Sequence, residues 1–160
     1  SEFGRPVVLS DLGKIRTAAT VLFDLLEAHL IHGSTEPGGT KSGAATQWQN
    51  LGVTPNGNIL HELDKQSIVR HGDVVTFRDR KTIFNLKRET FTSLPRHKVS
   101  VNSWRIDCQA QTYQLLASSL FDENGKPVAS YTYNDGEIRP AAITPNSASH
   151  QQMQAVCRRP

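Results

Sequence analysis

Turn signals cut the stretch from residue 47 to 160 into short pieces, and this punctuation constrains the fold more than any other feature of the chain. Asn124-Gly125 is the clearest signal, standing between two β-rich segments, 115–121 and 128–133. Asn and Gly take up positive φ at low cost, so these segments are expected to form a hairpin. Pro55-Asn56-Gly57 and Asn134-Asp135-Gly136 mark further turns. Segments 74–84 and 98–108 read as long strands, and 59–63 as a shorter one. Within 98–108, Val99 and Val101 alternate in one phase, whereas Trp104, Ile106 and Cys108 alternate in the other. That change of phase predicts a β-bulge near Asn102 or Ser103. The end of the chain differs. Thr144-Pro145-Asn146-Ser147 supplies helix-start residues, with Asn146 or Ser147 as cap. Met153, Val156 and Cys157 then share a helical face, and Arg158 and Arg159 complement the helix dipole.

The N-terminal third follows another pattern. Ser1-Glu2-Phe3-Gly4 reads as a cloning scar and is set aside. Residues 5–33 read as a helix, because Leu12, Ile15, Ala19, Leu22 and Leu26 recur at steps of three and four. Ser10 can cap its start and Gly33 can end it. Such a helix either docks on a partner or oligomerises, or else it packs on its own domain or on nothing. Residues 34–46 are rich in Gly, Ser and Thr and are expected to form a flexible linker. A β-domain would then occupy 47–160.

Composition excludes some classes. Apolar residues make up 37% and charged residues 21% of the chain, too apolar for a disordered protein. No run approaches the ~18 apolar residues that a membrane-spanning helix needs. The two cysteines, Cys108 and Cys157, form no Cys-x-x-Cys motif. They are either buried free thiols or one bridge that would pin the terminal helix to a strand.

Net charge is +3, but residues 65–98 hold nine Lys or Arg against three acids, so this stretch alone is +6. Arg70, Arg78, Arg80, Lys81, Lys87, Arg88, Arg96 and Lys98 are the candidate partner-binding residues. On a regular strand Arg78 and Arg80 share a face, opposite to Phe77, Lys81 and Ile83. Basic patches attract acidic surfaces, although strand charges also serve to keep sheet edges apart. Phe77, Phe84 and Phe91 interleave with the basic residues but are better used in a core, so nucleic acid is not the expected partner.

No catalytic constellation emerges. His61-Glu62-Leu63-Asp64-Lys65 begins like a zinc-protease helix, but Lys65 stands where the second His is required. Gly33 to Ser42 approaches a phosphate-cradling loop, but Gly39 replaces its lysine. The six histidines are scattered, and only His29 and His32 lie one helical turn apart. No cofactor, metal or enzyme activity is expected.

Five pieces of the β-domain, in order, carry a family resemblance: Trp48-Gln49-Asn50-Leu51-Gly52; Asp64-Lys65-Gln66-Ser67-Ile68 with the following strand Val74-Val75-Thr76-Phe77; Trp104-Arg105-Ile106-Asp107-Cys108; 113–121 running into Asp122-Glu123-Asn124-Gly125-Lys126; and Ile143-Thr144-Pro145-Asn146-Ser147 leading to Ala155-Val156-Cys157. Together they resemble the surface-adhesin E family of Gram-negative bacteria. The resemblance implies an α+β fold: a curved antiparallel sheet of about six strands, with a C-terminal helix on its concave face tied by a Cys108–Cys157 disulfide. It implies export to the periplasm, outer membrane or cell surface, and in some members binding to host extracellular-matrix or serum proteins. The expected assembly is a monomer or weak homodimer. The alternative is a structural envelope protein with no host ligand. Residues 5–46 have no counterpart in the resemblance.

Overall fold

The computed structural model describes residues 22, 25–27, 29–31, 46–91, 94–134, 136 and 138–158. Six strands follow one another as an antiparallel meander: β1 (Trp48–Val53), β2 (Ile59–His71), β3 (Val74–Ile83), β4 (Val99–Asp107), β5 (Thr112–Phe121) and β6 (Pro127–Thr132). The sheet curls into a half-barrel. A two-residue strand, β7 (Ala141–Ala142), pairs with the start of β5 where β6 has ended. A C-terminal helix (Ala148–Cys157) packs against β1, β2 and β3.

The hairpin expected at Asn124-Gly125 is present. Gly125 has φ 79°, and the Asp122 carboxylate accepts hydrogen bonds from the backbone N–H groups of Asn124 and Lys126. Ser147 caps the helix, its hydroxyl accepting from the His150 N–H. Cys108 and Cys157 form the disulfide, with Cα atoms 5.8 Å apart. Closing a loop of 49 residues contributes about 4 kcal/mol on the chain-entropy account. Arg70 seals the same end: its guanidinium donates to the Val156 and Cys157 carbonyls, which a helix C-terminus leaves unpaired. The basic group at this helix end thus comes from β2, across the fold.

β4 corrects one expectation. Its burial alternates without a break: Ser100, Asn102, Trp104 and Ile106 all point inward, while Val99 and Val101 lie on the outer face. The irregularity lies in β5 instead. Ser103 pairs with Ala117 but Trp104 pairs with Leu115, leaving Leu116 as the extra residue. The inward phase of β5 accordingly changes from Tyr113 and Leu115 to Ser118 and Leu120. The expected change of phase is absent from β4 because Val99 and Val101 lie on the outer face, the inner face being polar at this end.

β2 is longer than its 59–63 core. Beyond Asp64 the register with β3 breaks, and residues 65–68 bulge out before pairing resumes at Val69. Asp64 organises this bulge. It is fully buried, and its carboxylate accepts from the Gln47 and Gln66 N–H groups and from Arg78. The Ser67 hydroxyl donates to the Asp64 carbonyl and accepts from the Arg78 N–H. The Asp64-Lys65-Gln66-Ser67 motif is therefore a bulge-forming device.

The core joins Leu63, Val75, Phe77, Trp104, Ile106, Tyr113, Leu115 and Leu120 of the sheet to Ala148, Met153 and Val156 of the helix. Leu22, Leu26 and Leu30 belong to the same core. Of the described N-terminal residues, Leu22 and Leu25–Glu27 are helical, whereas His29 and Leu30 are not. Ile31 forms a β-bridge to Val53, with backbone hydrogen bonds in both directions. The helix thus ends before His29, short of Gly33, because the chain turns to pair with β1. The expected face residues Leu12, Ile15 and Ala19 and residues 34–45 of the linker expected at 34–46 lie outside the described residues.

Candidate interaction surface

The eight basic candidates do not form one patch. Four are engaged by carboxylates. Arg78 bonds to Asp64 at 2.6 Å and Arg80 to Glu62 at 2.8 Å, both carboxylates being buried. Arg80 also lies 4.3 Å above the ring of Trp48. Arg96 pairs with Glu123 at 3.2 Å in the open. Lys81 is not a surface residue: it is 2% exposed and its ammonium meets Asp79 at 2.5 Å. Arg70 is committed to the helix C-terminus.

Three candidates remain with no carboxylate partner among the described residues. Lys87 and Arg88 belong to a single 3-10 turn (Leu86–Arg88) capped by the Asn85 side chain. Arg88 donates to the Asn56 carbonyl, and Lys98 donates to the Phe84 carbonyl. These contacts fix the side chains without neutralising them. All three belong to the β3–β4 connection, which begins with Phe84, itself 50% exposed. Asn58 fastens this tip by donating to Glu89 and to the Asn85 carbonyl. Sequence reasoning placed Phe84 in a core. The signal against that lies in the strand's end: Phe84 follows the last paired residue of β3, where the inward phase stops.

On the inner face lies a polar cluster that sequence reasoning did not assemble. Asp79 accepts from Lys81, from Asn102 at 2.9 Å and from Gln152 of the helix at 2.7 Å. Ser118 donates to Asn102 at 2.7 Å. Lys81 lies 5.6 Å from the Trp104 ring. His61, opposite Lys81 in the β2–β3 register, is buried with no hydrogen-bond partner on either ring nitrogen. Burial, and secondarily the Lys81 charge, hold its pKa well below the usual histidine value. His97 is also lowered by burial, partly offset by its contact with the Pro95 carbonyl. The cluster is closed over by the helix through Gln152. It presents polar groups to one another, not to a substrate cavity.

His61 and Glu62 lie on a strand, so the zinc-protease spacing has no helix to act on. No group of three His, Cys, Asp or Glu among the described residues could hold a metal ion. A shallow polar groove of about 510 Å³ runs between β1 and the C-terminal helix, lined by His29, Gln49, Asn50, His150 and Arg158 among others. No helix among the described residues is long and apolar enough to cross a membrane.

The family model for surface-adhesin protein E matches residues 48–158. No curated protein and no solved structure matches the chain. Family membership implies an exported, non-enzymatic protein of the adhesin type. The half-barrel sheet, the disulfide-tied helix and the matched span agree with one another: this chain belongs to the surface-adhesin protein E family.

Proposed function

We propose that the protein works at the envelope or surface of a Gram-negative bacterium and binds a host extracellular-matrix or serum protein through the Phe84 tip. One observation carries this reading: a half-exposed aromatic residue in the same β3–β4 connection as Lys87, Arg88 and Lys98, cations that no described carboxylate neutralises. Exposed aromatics supply binding energy out of proportion to their number, and unpaired charges steer an acidic partner toward them. Arg78 and Arg80 are poorer candidates, because a partner would have to compete with Asp64 and Glu62. The protein does this without catalysis, by surface contact.

The test is binding to a panel of immobilised host extracellular proteins at physiological salt, with heparin and DNA as polyanion controls. Replacing Lys87, Arg88 and Lys98 by Glu is expected to lower binding at least about tenfold, mainly through a slower association. Unchanged binding would remove the tip from the contact. Binding to the polyanions alone would favour a structural envelope role, for which β6, the last strand in the sheet order among the described residues, offers a place to add a partner's strand.

A further inference from the structure

We propose that the N-terminal segment bearing Leu22, Leu26, Glu27, Leu30 and Ile31 is seated in the half-barrel as an exchangeable ligand, and that the same site accepts this segment from a second copy of the chain. Three contacts define the seat. Leu22, Leu26 and Leu30 are 0%, 0% and 4% exposed. They stand four residues apart, the anchor spacing of an amphipathic segment laid into a groove. Glu27 is a polar pin: its carboxylate accepts from the Tyr113 hydroxyl at 2.6 Å and from the Thr144 hydroxyl. Ile31 then adds to the edge of β1, exchanging backbone hydrogen bonds with Val53.

The receiving surface is shaped for this. Gly52 has φ 124°, and a Cβ there would stand 2.4 Å from the Ile31 carbonyl oxygen. No other residue type allows the segment to approach β1 so closely. Tyr113 and Thr144 are likewise spent on Glu27. All of these receiving residues lie within the family span, 48–158, and the segment lies outside it. It is joined to the span through the Gly-, Ser- and Thr-rich sequence of residues 33–46. A segment from a second copy would make the same contacts, so exchange between copies costs no contact energy. The site would be completed by the partner's leucines and carboxylate, and two copies would be held together by exchanged segments.

The experiment uses the full chain with a protease site inserted between Gly38 and Gly39. After cleavage, a fluorescent peptide of residues 9–31 is titrated into the nicked protein. The expected result is that the nicked protein keeps its β-sheet spectrum and the peptide binds saturably, displacing the native segment. A Leu26→Asp peptide should bind more than about 30-fold more weakly, and a Glu27→Gln peptide about tenfold more weakly. In the intact chain, mixing copies carrying different labels at high concentration should give a dimer with energy transfer between them, suppressed by Leu26→Asp. Two outcomes would overturn the proposal. If the nicked protein loses the segment and takes up no peptide, there is no receptor site. If it unfolds on cleavage, the segment is a fixed part of the core.

Discussion

Both faces of β3 carry ion-paired side chains but use them in opposite ways. On the outer face, Arg78 and Arg80 meet Asp64 and Glu62 across one neighbouring strand, with the guanidinium groups reaching solvent. On the inner face, Asp79 and Lys81 form an ion pair shut away from water, with exposures of 1% and 2%. Outside, the guanidinium groups reach water, which screens them even though the carboxylates they meet are buried. Inside, nothing replaces a lost partner, so each lone pair of Asp79 needs a donor. Asn102 and Gln152 supply them, and Gln152 comes from the C-terminal helix. The inner pair therefore fixes where the helix sits, whereas of the outer pairs Arg78–Asp64 shapes the β2 bulge.

The largest effect is expected inside. Asp79→Ala leaves the Lys81 ammonium buried and strips acceptors from Asn102 and Gln152. The cost should be about 3–5 kcal/mol in urea unfolding. Adding Lys81→Met removes the stranded charge and should recover much of that loss. Failure of the second change to rescue would mean that the ion pair is not what Asp79 supports.

An intermediate effect comes from His61. Its folded pKa is lowered, so below about 6.5 the unfolded chain takes up a proton that the folded chain refuses. Stability is fully present above that pH and is lost as pH falls toward the folded value. His97 acts in the same direction. His61→Leu should flatten the pH dependence of the melting temperature between about 6.5 and 5. An unaltered slope would assign the acid sensitivity elsewhere.

The smallest effect is expected outside. Arg80→Ala removes an ion pair and a ring contact, each worth about 1 kcal/mol or less. A loss as large as that from Asp79→Ala would erase the distinction between the faces.

Much of this architecture was legible in the residues. The Asn124-Gly125 hairpin, the Ser147 cap and the inward phase of Phe77, Lys81 and Ile83 follow from local rules. The burial of Lys81 was implicit in that phase, yet a lysine's charge argued for the surface, and only Asp79 beside it in the fold outweighs that argument. The β-bulge went to the wrong strand because valine suggests a core, and the polar inner face of Ser100 and Asn102 makes sense only once Asp79 lies opposite Asn102. Arg70 was counted as free because its acceptors are 86 and 87 residues away along the chain.

The sequence by itself determined where the chain turns, which segments become strands and which family it joins. Those signals are local, set by backbone preference and by the order of short motifs. The tertiary structure alone decided which charges are spent. An ion pair or a cap depends on residues that meet only after the sheet has curled and the helix has closed over it. Of the eight basic residues, folding leaves Lys87, Arg88 and Lys98 of the β3–β4 connection without a described carboxylate partner, and places Leu22, Leu26 and Leu30 in a seat built from residues far along the chain.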